Sequence, residues 1–313
     1  MKIFISIASY CDELLFFTLN DCISKAKFPQ NIIFGIVDQN DSSQKEKIDQ
    51  LSFSSQIRYV YINKLETYGV SWARNIAFSL WDNEKYLLQI DSHMFFEENW
   101  DETLKEQHSS LLEKSQKPII TTYPYDFQFD ENNNPVFKKP SGTYVLELRP
   151  HPDTKLEEDN AVLRFRAHHT KSSEPVNGCH IAAGFVFTDA SFIEEVPYDP
   201  YLYFHGEEQS LSIRAYTRGW DIYHPTWIPL YHCYKKINTT STTSYISHHW
   251  HKSVESKRAL SYSHLLKRSK KRINRLFYED GIKGSVYGLG QTRNLEDFSK
   301  FSGIDYTNKT IKK

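Results

Sequence analysis

The stretch YLLQIDSHMFF, residues 86–96, ends an apolar run in Asp91 and His93, side chains that can give an oxygen and a nitrogen to one cation. On a strand, successive side chains alternate between faces, so the spacing predicts that Asp91 and His93 share a face with Ser92 opposed. A carboxylate oxygen beside an imidazole nitrogen suits a borderline divalent ion such as manganese. D-x-H alone has a plainer alternative, in which Asp91 caps the next turn and His93 satisfies a backbone carbonyl. His232 adds weight to the metal reading, because it falls in a second apolar run, WIPLYHCY, and could supply a third ligand. An aspartate and two histidines leave coordination positions open for phosphate oxygens and water. A rival cluster, His248, His249 and His251 in SHHWH, lacks the i, i+4 spacing that sets two imidazoles on one helix face and reads as a solvated helix start.

Two more groups could act on a ligand. In FHGEEQSLSIRAYTRGW, Gly206 precedes Glu207 and Glu208 at an expected helix start, where the helix dipole alone would favour negative charge. Tyr201, Tyr203, Phe204 and His205 frame these carboxylates as an aromatic wall of the kind that packs on sugar faces while carboxylates accept from sugar hydroxyls. Arg74, in GVSWARNIA, lies early in an expected helix and could offer its guanidinium to a phosphate; an exposed helix charge is the alternative.

The elements that must position these groups follow a βα rhythm. Lys2–Ser9 reads as a buried strand, and Asp12 as the N-cap of a helix with Leu15, Phe16, Leu19, Cys22, Ile23 and Ala26 on one face. Strands over Ile32–Gln39 and Ile57–Asn63 follow, then a helix opened by Gly69 and running through Trp81 into the strand that ends at Asp91. Alternating strands and helices predict a largely parallel, doubly wound α/β sheet, whose ligands sit at the carboxyl ends of its strands. From about Pro118 the pieces ITTYPYDF, TYVLELRP and AVLRFRAHH are short and β-prone, which suits a mixed sheet. His180–Thr188 and Trp227–Tyr234 read as further buried strands on either side of a helix over Glu207–Arg218. From about Ser247 come a charged helix and a Gly-rich extension with too little apolar content to form its own domain.

The bulk numbers exclude several classes. With 313 residues and 39% hydrophobic content the chain can bury a core. Lys plus Arg is 38 against 39 for Asp plus Glu, which gives no sign of a nucleic-acid partner. Only KRSKKRINR, Lys267 to Arg275, is locally basic, and it reads as a solvated helix face, with an anionic partner as the alternative. Four cysteines without a C-x-x-C pair suggest a reducing compartment, and KIFISIAS lacks the pattern of a signal peptide. No run approaches the length of a membrane span, so a cytoplasmic protein is expected.

These residues together resemble the polypeptide-type GlcNAc transferases of the Skp1-modifying class, glycosyltransferase family 60. The likeness is carried by ISIASYCDELLFFTLNDCISKA, YGVSWARNIAFSLW, YLLQIDSHMFF, PIITTYP, AAGFVFT, EEVPYDPYLYFHGEEQSLSIRAYTRGWDIYHP, PLYHCY and YGLGQTRNLEDFSKFSGIDY, which run nearly end to end. It implies a GT-A fold, with a mostly parallel nucleotide-binding half, a mixed-sheet acceptor half and a helical C-terminal extension. The corresponding divisions are 1–246 for the catalytic domain, split into 1–117 and 118–246, and 247–313 for the extension. The pattern is also similar to the polypeptide GalNAc transferases. That likeness implies Asp91, His93 and His232 for Mn2+ (or Mg2+), Ala183 and Gly184 beneath the donor sugar, and Glu208 on its hydroxyls. Glu207 stands where those enzymes have glycine, so either glutamate could face the sugar. Arg74 and the first-strand exit, Ala8, Ser9 and Tyr10, would lie near the nucleotide, and Gln89 and Ser92 beside Asp91 join that group. Cys11 follows S-Y where the family often has arginine, which removes any phosphate contact expected there.

The implied reaction moves a sugar, GlcNAc by family, from UDP to a hydroxyl of a protein or glycan with retention of configuration. A bound divalent ion would neutralise the departing diphosphate. A bacterial capsule or surface polysaccharide transferase with another UDP-sugar is the nearest alternative. A metal-dependent hydrolase or a carbohydrate-binding module would use the same features differently. The extension YGLGQTRNLEDF could serve an acceptor contact or a homodimer.

Overall fold

The computed structural model describes residues 1–139, 143–234 and 252–312; the histidines of SHHWH lie outside them. The first half runs β1 (Ile3–Tyr10), α1 (Leu15–Lys25), β2 (Ile32–Asn40), α2 (Lys45–Asp49), β3 (Ile57–Asn63), α3 (Val70–Phe78) and β4 (Tyr86–Ile90). Next come β5 (Met94–Phe96), α4 (Trp100–Leu111), β6 (Pro118–Thr121), β7 (Tyr125–Phe129), β8 (Pro135–Phe137), β9 (Tyr144–Pro150), β10 (Phe165–Lys171) and β11 (Val176–Gly178). The chain continues through β12 (Phe185–Asp189), α5 (Phe192–Glu195), α6 (Glu207–Thr217), β13 (Asp221–His224) and β14 (Leu230–His232). It ends in α7 (Lys252–Glu255), α8 (Tyr262–Tyr278), α9 (Leu295–Ser302), β15 (Ile304–Asp305) and β16 (Thr310–Ile311).

The central sheet has eight strands in the order β11-β13-β6-β12-β4-β1-β2-β3. Strands β3, β2, β1 and β4 are parallel, whereas β12 runs antiparallel to both β4 and β6. Both faces are covered, so β1 carries apolar residues on both: Ile3, Ile5 and Ile7 pack with α1 and α4, while Phe4 packs on the opposite side in a cluster with Leu211 and Ala215 of α6. The chain moves outward from β1 to β3 and then returns to place β4 on the other side of β1. That reversal opens a crevice at the carboxyl ends of β1 and β4, where Tyr10 and Asp91 emerge.

A second, four-stranded sheet in the order β5-β14-β7-β8 determines how the histidines meet. Its β5 continues directly from β4 after a three-residue break, Asp91–His93. Antiparallel pairing sets His232 opposite Met94, and Cys233 N donates to His93 O at 3.0 Å. The D-x-H is therefore a junction between two sheets, where strand alternation does not apply. Ser92 is not opposed to His93, because both donate to the carboxylate of Asp12.

Other expected boundaries shift for local reasons. The helix over α3 stops at Phe78, and tight i→i−3 bonds from Leu80 to Ala77 and from Trp81 to Phe78 continue the turn. Gly69 starts it with φ +105°, and its missing Cβ leaves room for the Tyr203 carbonyl, which accepts from Val70 N at 3.0 Å. Of His180–Thr188, only the end is strand. Its first part is a loop whose N–H groups are taken by side chains: Ile181 N by Ser212, Ala182 N by Thr121 and Ala183 N by Glu208. The paired part of Trp227–Tyr234 is Leu230–His232.

The basic segment on α8 is half paired within the chain. Lys270 pairs with Asp159, Arg272 with the buried Asp199, and Arg275 with Asp280. Ile273, Leu276 and Phe277 of α8 join Phe298 of α9 and Tyr306 in a cluster that reaches Ile213 of α6. YGLGQTRNLEDF is also bound within the chain: Gly290 N donates to Thr217 Oγ1 at 2.8 Å, and Arg218 donates to the carbonyls of Val286 and Gly288. Among the described residues, no helix is long and apolar enough to cross a membrane.

Candidate active site

A cavity of about 530 Å3 occupies the crevice outside β1 and β4. Of the site residues expected from the sequence, Ala8, Tyr10, Arg74, Asp91, Ser92, His93, Gly184, Glu207, Glu208 and His232 reach its wall. Ser9, Gln89 and Ala183 do not. Ser9 alternates into the sheet, fully buried. Gln89 lies behind the wall, donating to Ala183 O at 2.7 Å and Tyr198 Oη at 2.6 Å, so it braces the loop and is sealed from ligand. Of the aromatic residues, Phe204 and His205 line the cavity, whereas Tyr203 is buried and Tyr201 lies under the guanidiniums of Arg268 and Arg272.

Asp91, His93 and His232 each turn a ligand atom toward the others, all within 4.8 Å. His232 Nε2 lies 3.2 Å from Asp91 Oδ2 and 2.9 Å from His93 Nε2. Asp12 fixes the tautomer of His93: its Oδ2 accepts from Nδ1 at 2.6 Å, which leaves the Nε2 lone pair facing the site. Asp12 Oδ1 accepts from Leu14 N at 2.9 Å. Asp12 was expected to cap α1, and Leu14 holds that place instead. Nothing in the spacing of residues 12 and 93 foretells their contact; only the adjacency of β1 and β4 does.

The charges fit a cation. Burial pushes the Asp91 carboxyl up, but the hydrogen bond to His232 and the Arg74 guanidinium outweigh it and hold the group well below the usual carboxylate range. Burial lowers His93, yet the bond to Asp12 prevails and raises it, whereas burial and the neighbouring His93 lower His232. The pair can hold one proton between its facing nitrogens but not two. A divalent ion satisfies both lone pairs and the carboxylate at once. The Nδ1 of His232 is buried with no hydrogen-bond partner among the described residues. One oxygen and two imidazole nitrogens form a donor set suited to a borderline divalent metal.

Arg74 is not the exposed helix charge that the sequence allowed. It is buried, with Nη2 2.9 Å from Asp91 Oδ1 and Nη1 2.6 Å from Glu207 Oε1. Burial, with repulsion from Glu208 and Asp91, raises the Glu207 carboxyl against the pull of Arg74. The Glu207 contact with Arg74 draws it toward the back of the cavity. Glu208 accepts from Ala183 N at 2.8 Å and lies 3.6 Å from His180 Nε2. His180 was not foreseen as a site residue. It lines the cavity beneath Phe165, the two rings parallel with centroids 3.6 Å apart.

Gly184 approaches so closely that an added Cβ would lie 2.7 Å from Asp91 Oδ2. Arg74 and His232 hold that carboxylate from two sides, so it cannot give way without losing a partner. Gly184→Ala is therefore expected to weaken Mn2+ binding at least about tenfold while leaving the thermal midpoint within a few degrees. Titration of Mn2+ followed by electron paramagnetic resonance measures the first and scanning calorimetry the second; unchanged affinity would remove the close approach as a constraint on Asp91.

The profile of the Glycosyltransferase (GlcNAc) family matches residues 2–52 and 41–308. No curated protein matches significantly. Among solved structures, GalNAc-T7 with UDP, GalNAc and Mn2+ aligns with TM-score 0.57 and 13% identity over 99% of this chain and 58% of that one. TarS of S. aureus aligns with TM-score 0.46 and 13% identity over 74% of this chain and 37% of that one. Its 1–349 form in complex with UDP-GlcNAc gives TM-score 0.47 and 13% identity over 91% and 75%. The architecture is the GT-A fold, with the mixed sheets and helical extension expected of it.

Proposed function

We propose, since this chain belongs to the Glycosyltransferase (GlcNAc) family, that it moves N-acetylglucosamine from a UDP-sugar to a hydroxyl of a protein or glycan, with retention at the anomeric carbon. The observation that supports this reading most is the convergence of Asp91, His93 and His232 within 4.8 Å at the switch point of the sheet, on the wall of the 530 Å3 cavity. GalNAc-T7, which shares the fold, binds UDP, GalNAc and Mn2+, and ligands of that class are proposed here.

Asp91, His93 and His232 would hold Mn2+ or Mg2+, which when bound neutralises charge on a departing diphosphate. Arg74 keeps Asp91 ionised and aimed. Glu208, anchored by Ala183 N, takes hydroxyls of the donor sugar, while Gly184 lets that sugar lie against the backbone. Ala8 and Tyr10 border the nucleotide. In the reaction the bond from C1 to the phosphate oxygen breaks, and a bond from C1 to the acceptor oxygen forms on the same face. The acceptor proton passes to the departing phosphate oxygen, so no carboxylate of the cavity acts as a covalent nucleophile. The acceptor would be a protein hydroxyl of the Skp1-type class or, alternatively, a bacterial surface glycan.

Thermal unfolding in the presence of UDP-GlcNAc, UDP-GalNAc and UDP-glucose, each with and without MnCl2, tests the reading. UDP-GlcNAc is expected to stabilise by about 2.7 kcal/mol at a hundred times its Kd, and only with Mn2+. Absence of Mn2+-dependent stabilisation by any UDP-sugar would contradict it. Release of free sugar with no linked product, once an acceptor is supplied, would favour a hydrolase.

A further inference from the structure

A second cavity, of about 480 Å3, lies against the opposite side of the hairpin that walls the active site. Adjacent residues divide between the two: Phe165 and His180 face the active site, and Arg166 and Cys179 face the second cavity. Its floor carries an unfavourable pairing. In the antiparallel register of β9 and β10, Arg149 stands directly opposite Arg166, and like charges in that position destabilise a sheet. The next pair on that face is Glu147 opposite His168. Glu147 accepts from Arg149 at 2.6 Å and from Thr170 at 2.6 Å, which holds that guanidinium in place, but one carboxylate beside two guanidiniums leaves the group with net positive charge. Arg166 forms no ion pair among the described residues, nor does Lys312 on the opposite rim. Asp153 is drawn to His151 on the same rim, at 3.5 Å.

We propose that this groove binds an acidic saccharide, with a phosphate or carboxylate bridging Arg149 and Arg166. A shared oxyanion offsets the repulsion between the guanidiniums, and their planar donors suit its oxygens. The cavity is far larger than one oxyanion. Pro150, Pro152 and the exposed ring of Phe301 give it apolar surface for a sugar body, while Asn177 adds polar contacts. Calling that saccharide the acceptor rests on the transferase reading; the anion binding does not depend on it.

Saturation-transfer NMR with glucose 6-phosphate, glucuronic acid and glucose, and with inorganic phosphate titrated as a competitor of glucose 6-phosphate, tests the groove in the wild type, in the Arg149→Gln/Arg166→Gln double variant and in Asp91→Asn. Either acidic sugar should bind the wild type and Asp91→Asn alike, about tenfold or more tighter than glucose or inorganic phosphate, and at least about tenfold more weakly in the double variant. Arg166→Gln alone should raise the melting temperature, because it relieves the cross-strand repulsion. A lowered melting temperature would overturn the repulsion premise. Inorganic phosphate binding as tightly as the sugars would overturn the saccharide assignment. No binding of either acidic sugar, or loss of binding in Asp91→Asn with none in the double variant, would overturn the site itself. UDP-sugar binding in the double variant reports on the transferase reading separately.

Discussion

Asp91→Asn is expected to lower kcat by about a thousandfold or more at saturating UDP-GlcNAc and Mn2+, with the fold intact. The substitution keeps the shape of the side chain but removes its charge. An amide oxygen is a weaker ligand than a carboxylate, and its NH2 group would face either the Arg74 guanidinium, which donates to one of the present oxygens, or His232 Nε2, 3.2 Å from the other. Metal stabilisation of a departing diphosphate contributes several kcal/mol, and each 1.36 kcal/mol is about tenfold in rate. Steady-state kinetics on the purified variant, with circular dichroism as the folding control, decides the matter. Turnover within about tenfold of wild type would remove Asp91 from the role assigned to it.

Asp12→Ala should have the second largest effect, in a different quantity. It leaves all three proposed ligands in place but frees His93 to rotate and to change tautomer, and it deprives Ser92 of its acceptor. Loss of a carboxylate behind a ligating histidine typically costs about 10- to 100-fold in metal affinity. The expected result is a Kd for Mn2+ raised by that factor, with activity largely recovered at high Mn2+, whereas excess metal should not rescue Asp91→Asn. Asp12→Asn, which retains an oxygen to accept from His93 Nδ1, should fall between Asp12→Ala and wild type. An Mn2+ affinity in Asp12→Ala equal to wild type would show that His93 needs no such support.

The strands of the parallel half and the helix that starts at Glu207 were legible because each follows from local pattern, whereas the meeting of Asp91, His93 and His232 was expected from the ends of two apolar runs and from the family resemblance, and the strand alternation invoked for it does not apply. Apolar runs marked the buried strands, and the end of such a run marked the rim of the sheet. What was not legible depends on contacts between distant residues. Asp12 looked like a helix cap, since its partner lies 81 residues away and becomes its neighbour only once β4 is laid beside β1. Arg74 could be read as a phosphate contact or as an exposed helix charge, because a helical position does not reveal that two carboxylates will meet it from Asp91 and Glu207. Gln89 and Ala183 matched a donor-binding pattern, yet the structure uses them on each other, behind the wall that Gly184 presents to the cavity. The loop over 180–184 read as strand because it is apolar. Its N–H groups are satisfied by Ser212, Thr121 and Glu208, so it can leave the ladder while buried.

Pulsed electron–nuclear double resonance on Mn2+ bound with UDP, using protein labelled with 15N-histidine, tests the central claim most directly. The account predicts hyperfine couplings from two histidine nitrogens, one lost in His93→Ala and the other in His232→Ala. Mn2+ bound beside UDP without any coupling to histidine nitrogen would contradict it.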